Sequence, residues 1–188
     1  MNYVEPIRDS ATVRGIAESL RKTDEKYYVM YMIGIYSGLR VCDILRLKIG
    51  DVKGKSEIRL REKKTGKEKT FPINAELGGV IADYCRGKPA DAYLIPSARA
   101  KGKAVSREYA WRVIHRTGRR FGLDHLGTHT MRKTFGYHFY MQTRDIALLM
   151  KIFNHSDQSI TLRYIGVERT TIDEAMRKFS YRGQSSHK

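Results

Sequence analysis

Residues 57–73, EIRLREKKTGKEKTFPI, constrain the fold more than any other stretch of this chain. EIRLRE and EKTFPI alternate apolar and polar residues, and the KKTGK between them carries the turn-forming Gly66. Two runs of period two on either side of a turn read as a β-hairpin. Elsewhere the apolar residues recur at helical spacing. In residues 10–22, Val13, Ile16, Ala17 and Leu20 form one stripe behind Asp9 or Ser10 as N-cap. Residues 24–37, DEKYYVMYMIGIYS, form an apolar, aromatic-rich helix stopped by Gly38. Further helices are expected near 41–48, 75–86, 106–121 (capped by Ser106), 129–141 (capped by Thr128), 144–153, 158–164 and 169–179, with a third short strand at 92–96. The chain therefore reads as one domain over 1–188, mostly α with a small antiparallel β-sheet, an α+β fold.

Charge narrows the partner. The 188 residues hold 36 Lys plus Arg against 20 Asp plus Glu, a net charge of +16. Such a field attracts polyanions, and nucleic acid gains most because each neutralised phosphate releases counterions. The competing readings are a solubility surface or an anionic membrane. The basic residues are spread along the chain, which favours a folded binding face over a disordered arm. No stretch approaches the roughly 20 apolar residues of a membrane span, and the N-terminus has no apolar signal region. Cys42 and Cys85 match no metal spacing or disulfide framework. A soluble, cytoplasmic protein with no membrane partner is expected.

Five places carry polar groups that packing alone does not need. In SGLRVCDILRL, Arg40 opens a short helix and Asp43 follows at i+3, where it can orient the guanidinium. The hairpin tip gathers Lys63, Lys64, Lys67 and Lys69, and lysine makes a proton donor when neighbouring cations or burial lower its pKa. In GTHTMRKTFGYHFY, His129 and Arg132 share a helix face and suit a phosphate, while His138 falls off that face and reads as structural. FNHSDQSITLRYIGV supplies His155 and Tyr164. Taken singly, these are a surface ion pair, a solvated hairpin tip, a helix face, a cap and a half-buried aromatic. Taken together, two arginines, a lysine, two histidines and a tyrosine are what a metal-free phosphoryl transfer uses. No P-loop or metal-ligand spacing is present, so neither a metal nor any other cofactor is expected. The basic loop 96–105 adds Lys101 and Lys103 as phosphate contacts.

The order Arg, Lys, His-x-x-Arg, His, Tyr resembles the catalytic domain of tyrosine recombinases, the phage integrase family. SGLRVCDILRLKIGDV is similar to its first arginine box, HTMR to its H-x-x-R, and NHSDQSITLRYIGV to its last box, across residues 40–164. Asn154 stands where the family often has glycine. The resemblance implies site-specific DNA cleavage and rejoining through a 3′-phosphotyrosyl link, without ATP or metal. Tyr164 would be the nucleophile, Arg40, Arg132 and His155 the phosphate ligands, Lys64 (or its neighbour Lys63) the general acid, and His129 a proton carrier. Asp43 would support Arg40 from behind. Lys63, Lys67, Lys101 and Lys103 would meet the DNA backbone. The partners implied are double-stranded DNA and other protomers, as a homo-oligomer (a tetramer of synapsed sites) or with a partner recombinase, in a bacterial or phage-encoded setting. About 39 residues precede Arg40, so a short stand-alone integrase-like chain without a separate core-binding domain is expected. In segment 168–188, Ile172, Met176 and Phe179 fall on one side, to pack on their own domain or, as the resemblance implies, to dock on a neighbouring protomer. Two alternatives stay open: a type IB topoisomerase-like relaxer, and a DNA-binding accessory or regulatory protein that keeps the fold with little recombination.

Overall fold

The computed structural model describes residues 4–64, 66–127, 129–167, 176, 177 and 179. Thr128, expected as a helix cap, lies outside the described residues, as does nearly all of the 168–188 segment expected to dock on a neighbour. In chain order the elements are α1 (Ser10–Thr23), α2 (Glu25–Ser37), α3 (Val41–Ile44), a 3-10 turn (Ile49–Asp51), β1 (Glu57–Arg61), β2 (Glu68–Pro72), α4 (Ala75–Tyr84), α5 (Arg107–Arg119), α6 (Thr130–Thr143), α7 (Ile146–Phe153) and α8 (Gln158–Ile165). β1 and β2 form a two-stranded antiparallel sheet in which Ile58 faces Phe71 and Leu60 faces Lys69. The mostly helical fold with one hairpin is the one the sequence periods predict.

Local chemistry sets the ends of these elements. Asp9 caps α1 by accepting the Ala11 and Thr12 amides, and Asp157 caps α8 by accepting those of Ser159 and Ile160. Gly38 ends α2 at φ 64°, the left-handed conformation that glycine adopts at least cost. It also meets the Phe135 ring so closely that a Cβ there would collide with it. Asn154 ends α7 with the same left-handed twist, φ 56°. This is why asparagine serves there, since it tolerates that region better than most residues.

α2 is buried along most of its length and packs against α1, α4 and α6. The main core forms around it from Ile16, Leu20, Met30, Ile33, Ile44, Ile58, Leu77, Ile114 and Met131. A second cluster joins α6, α7 and α8 through Leu149, Phe153, Ile165 and Val167, and Tyr164 packs on its margin. Gly136 of α6 makes this junction possible. A Cβ there would lie 2.7 Å from both Ile165 and Phe153, so a side chain would push α8 away from α6.

The third strand expected at 92–96 is not formed. Lys48–Tyr93 and Pro96–Ala104 are isolated bridges, and Leu94 and Ile95 are both fully buried. Two successive buried residues break the alternation a half-buried strand needs, and Pro96 has no N–H to continue a ladder. The basic loop that follows is an ordered turn: Ser97 Oγ accepts the Arg99 and Ala100 amides, and the Ser97 amide donates to the Lys103 carbonyl. The expected helix over 41–48 is reduced to the single turn of α3.

Candidate active site

Arg132 is the anchor of the site. It is 2% exposed, and its two terminal nitrogens donate to the carbonyls of Gly38, at 2.6 Å, and Phe153, at 3.0 Å. Its guanidinium lies 4.1 Å from the centre of the Phe153 ring. A guanidinium held by two carbonyls and an aromatic face has one orientation, and its remaining N–H groups stay available for an anion. The two carbonyls come from opposite sides, the end of α2 and the end of α7. Folding α6 between them therefore aims the arginine.

Arg40 sits at the N-cap of α3 and is not held by Asp43. Its Nη1 donates to Glu62 Oε1 at 2.6 Å, and the Glu62 carboxylate is fully buried. Asp43 instead accepts the Lys63 backbone amide at 2.9 Å and so ties the start of the hairpin tip to α3. The reason lies at the start of α3. Arg40 is its N-cap, with extended backbone at φ −70° and ψ 143°, so its side chain does not share the helix face of Asp43, while the strand exit after Arg61 brings Glu62 to Arg40. The signal for Glu62 was present in the sequence. Residues 58, 60 and 62 share one face of the strand, and that face turns inward at Ile58, so a carboxylate at the third position has to be paired.

Lys69 enters from β2 and was seen only as part of the basic tip. Its Nζ lies 3.7 Å from Glu62 and hydrogen-bonds the Ile152 carbonyl. Burial, followed by the charges of Arg132 and Arg40, holds its pKa below the usual lysine range, and Glu62 pulls the other way. Lys67 donates to Asn154 Oδ1 at 3.1 Å. The last turn of α7 is thus pinned by Arg132, Lys69 and Lys67, a favourable place for cations at a helix C-terminus. Lys63 and Lys64 are exposed at the tip, and Lys101 and Lys103 are exposed on their separate turn.

α8 then brings the tyrosine back. The rings of His155 and Tyr164 meet edge to face with centroids 5.4 Å apart, and Phe153 stacks edge-on against Tyr164 at 5.5 Å. Tyr164 is largely enclosed and within reach of the Arg132 guanidinium; burial raises its pKa, while Arg132 and Arg40 partly offset the rise. His155 has its pKa lowered by burial and then by Arg132, Arg40, Lys69 and Lys64. His129, at the N-cap of α6, keeps an open side to solvent. The protein crowding its ring, then Arg132, Arg40, Lys133 and Lys64, lower its pKa as well. Both histidines are thereby favoured in the neutral form at neutral pH. His138 lies away from the pocket, and its Nε2–H donates to the Ile7 carbonyl at 2.9 Å, as a structural residue.

Six of the expected residues, Arg40, Lys64, His129, Arg132, His155 and Tyr164, therefore share one electrostatic neighbourhood. Cations gathered around an enclosed phenol make a place for a phosphate group. Among the described residues no cluster of His, Cys, Asp or Glu is arranged to hold a metal ion, and no helix is long and apolar enough to cross a membrane.

The comparisons with known proteins agree with this geometry. The chain is 39% identical over 179 residues to the probable integrase/recombinase YoeC of Bacillus subtilis, covering 95% of this chain and 98% of that one. It is 30% identical over 160 residues to the tyrosine recombinase XerA of Pyrococcus furiosus, covering 84% of this chain and 55% of XerA, so it spans about half the length of that relative. In fold it is similar to the XerH site-specific recombinase solved on its palindromic difH substrate in a post-cleavage complex, with a TM-score of 0.72 and 18% identity over 94% of this chain and 54% of that one. The model of the phage integrase family matches residues 9–170, a span that contains every side chain of the pocket, and the chain belongs to that family.

Proposed function

We propose that this chain is a site-specific DNA recombinase that cuts and rejoins double-stranded DNA through a covalent 3′-phosphotyrosyl intermediate at Tyr164. The observation that carries this reading is the enclosed phenol within reach of a buried, doubly anchored Arg132. Tyr164 is held neutral by burial, so it becomes a nucleophile as its proton leaves during attack. His129, favoured in its neutral form, is a base of suitable strength for that proton. Arg40 and Arg132 bind the non-bridging oxygens and the charge that grows on them. Lys64 protonates the departing 5′-oxygen. The tyrosyl ester keeps the energy of the phosphodiester, so the reverse attack by a 5′-hydroxyl rejoins the strand with neither ATP nor a metal.

The direct test uses nicked suicide duplexes, which lose the 5′-hydroxyl strand and trap the ester. A denaturing gel should show a covalent DNA–protein band with the wild type and none with Tyr164→Phe. Relaxation of supercoiled DNA without strand exchange would favour the topoisomerase-like reading. Salt-sensitive binding with no adduct would leave the accessory-protein reading.

Lys64→Ala should slow adduct formation by about 10²–10⁴-fold, the usual worth of a positioned general acid. A substrate whose leaving 5′-oxygen is replaced by sulfur needs no such acid, so Lys64→Ala should cleave it at close to the wild-type rate. An equal loss on both substrates would remove Lys64 from this role. Lys63, Lys67, Lys101 and Lys103 contact the DNA backbone in this reading, and assembly on DNA brings further protomers together. Charge reversal at Lys101 and Lys103 should flatten the salt dependence of binding by about one to two phosphate contacts; an unchanged slope rejects that contact.

A further inference from the structure

One buried group close to the tyrosine has no part in the chemistry above. Thr161 of α8 is fully buried, three residues before Tyr164. Its hydroxyl donates to the Asp157 carbonyl at 3.1 Å and stands 3.1 Å from His155 Nδ1. A threonine hydroxyl has one proton and two lone pairs. With the proton on the Asp157 oxygen, it turns a lone pair to the imidazole, so Nδ1 carries the ring hydrogen. The neutral ring then has a bare lone pair at Nε2, the nitrogen left for a ligand. A bare lone pair cannot donate to a phosphate oxygen, whereas the imidazolium donates from both nitrogens.

We propose that Thr161 is a positioning residue: it orients His155 and fixes its tautomer, so that His155 meets the scissile phosphate as an imidazolium and a proton is taken up as DNA binds. This rests on the reading of the pocket as a phosphodiester-cleaving site. The charges around His155 are Arg132 from α6, Arg40 from the start of α3, Lys69 from β2 and Lys64 from the hairpin tip. Phe153 and Tyr164 contribute rings. Asp157 is committed to the amides of Ser159 and Ile160, and Glu62 to Arg40 and Lys69. Without DNA the four cations oppose protonation. A phosphodiester brings negative charge to the same place and reverses that balance. The proton comes from solvent, bonds to Nε2, stays through cleavage and returns to solvent on release.

The test is the protonation of His155 in the 15N-labelled full chain, free and bound to a nicked duplex, read by long-range 1H–15N correlation and assigned with His155→Gln. The free protein at pH 7.5 should have hydrogen on Nδ1 and none on Nε2, and the complex should have both. Thr161→Val should lose the single tautomer and slow adduct formation about tenfold, the scale of one hydrogen bond. Its cleavage should also fall less steeply at alkaline pH than the wild type's, because a neutral ring free to carry its hydrogen on Nε2 donates to the phosphate without taking up a proton. Thr161→Ser should restore both. Hydrogen on Nε2 in the free protein, a neutral His155 in the complex, or a Thr161→Val pH profile that superimposes on the wild type's would each overturn the proposal. If Thr161→Val fails to fold, the wild-type tautomer decides. A wild type that forms no adduct would remove the cleavage reading, while the tautomer of the free protein would still test the hydroxyl contact.

Discussion

Arg132→Ala is expected to slow adduct formation by about 10³-fold or more, the range seen when a single arginine stabilises phosphoryl-transfer charge. The loss should appear in the rate of cleavage more than in DNA affinity, because many other cations hold the DNA backbone. Stability should fall too. The variant leaves the Gly38 and Phe153 carbonyls without their donor and opens a cavity against the Phe153 ring. Arg132→Lys separates the two effects. It keeps one charge but cannot donate to both carbonyls and fork a phosphate at once, so it should recover stability more than rate. Single-turnover cleavage of a suicide duplex and thermal unfolding, run on all three proteins, check this. A cleavage rate within threefold of wild type in Arg132→Ala would contradict the assignment.

Glu62→Ala is expected to produce the largest loss of stability. It removes the carboxylate between Arg40 and Lys69 and leaves two mostly enclosed cations facing one another. Breaking a buried pair in this way costs about 3–5 kcal/mol. For a domain of this size that corresponds to a fall on the order of 10 °C in the unfolding midpoint. The double variant Arg40→Met, Glu62→Met removes both partners and should be more stable than Glu62→Ala. Equal midpoints for the two would show that Glu62 is not the counter-charge that matters. Activity should fall in both, since Arg40 is lost in one and loses its orientation in the other.

The residues to which the proposed chemistry is assigned were more legible in the sequence than those that hold them in place. Arg40, His129, Arg132, His155 and Tyr164 announce themselves because polar groups in fixed order are rare among apolar stripes. The hairpin was visible because its period differs from everything around it. Glu62 was hidden in the basic tip, where one acid among lysines looks like surface decoration, and only strand parity exposes it. Asp43 was assigned to Arg40 by helical spacing, but Arg40 is the extended N-cap of α3 and stands outside that spacing. Thr161 could not be singled out from the sequence because its contact to His155 spans the corner before α8, and a corner has no period. The missing strand at 92–96 failed for a related reason: Leu94 and Ile95 are apolar enough for a strand, but both are buried, and burial of neighbours is set by what packs around them.

The central claim is that Tyr164 itself carries the DNA. The measurement that tests it most directly is peptide mass mapping of the trapped adduct after digestion of protein and DNA. A nucleotide attached through a 3′-phosphate to the peptide containing Tyr164, with a free 5′-hydroxyl on the released strand, is the predicted result. The adduct on any other residue, or a 5′-phosphate on the released strand, would contradict the account.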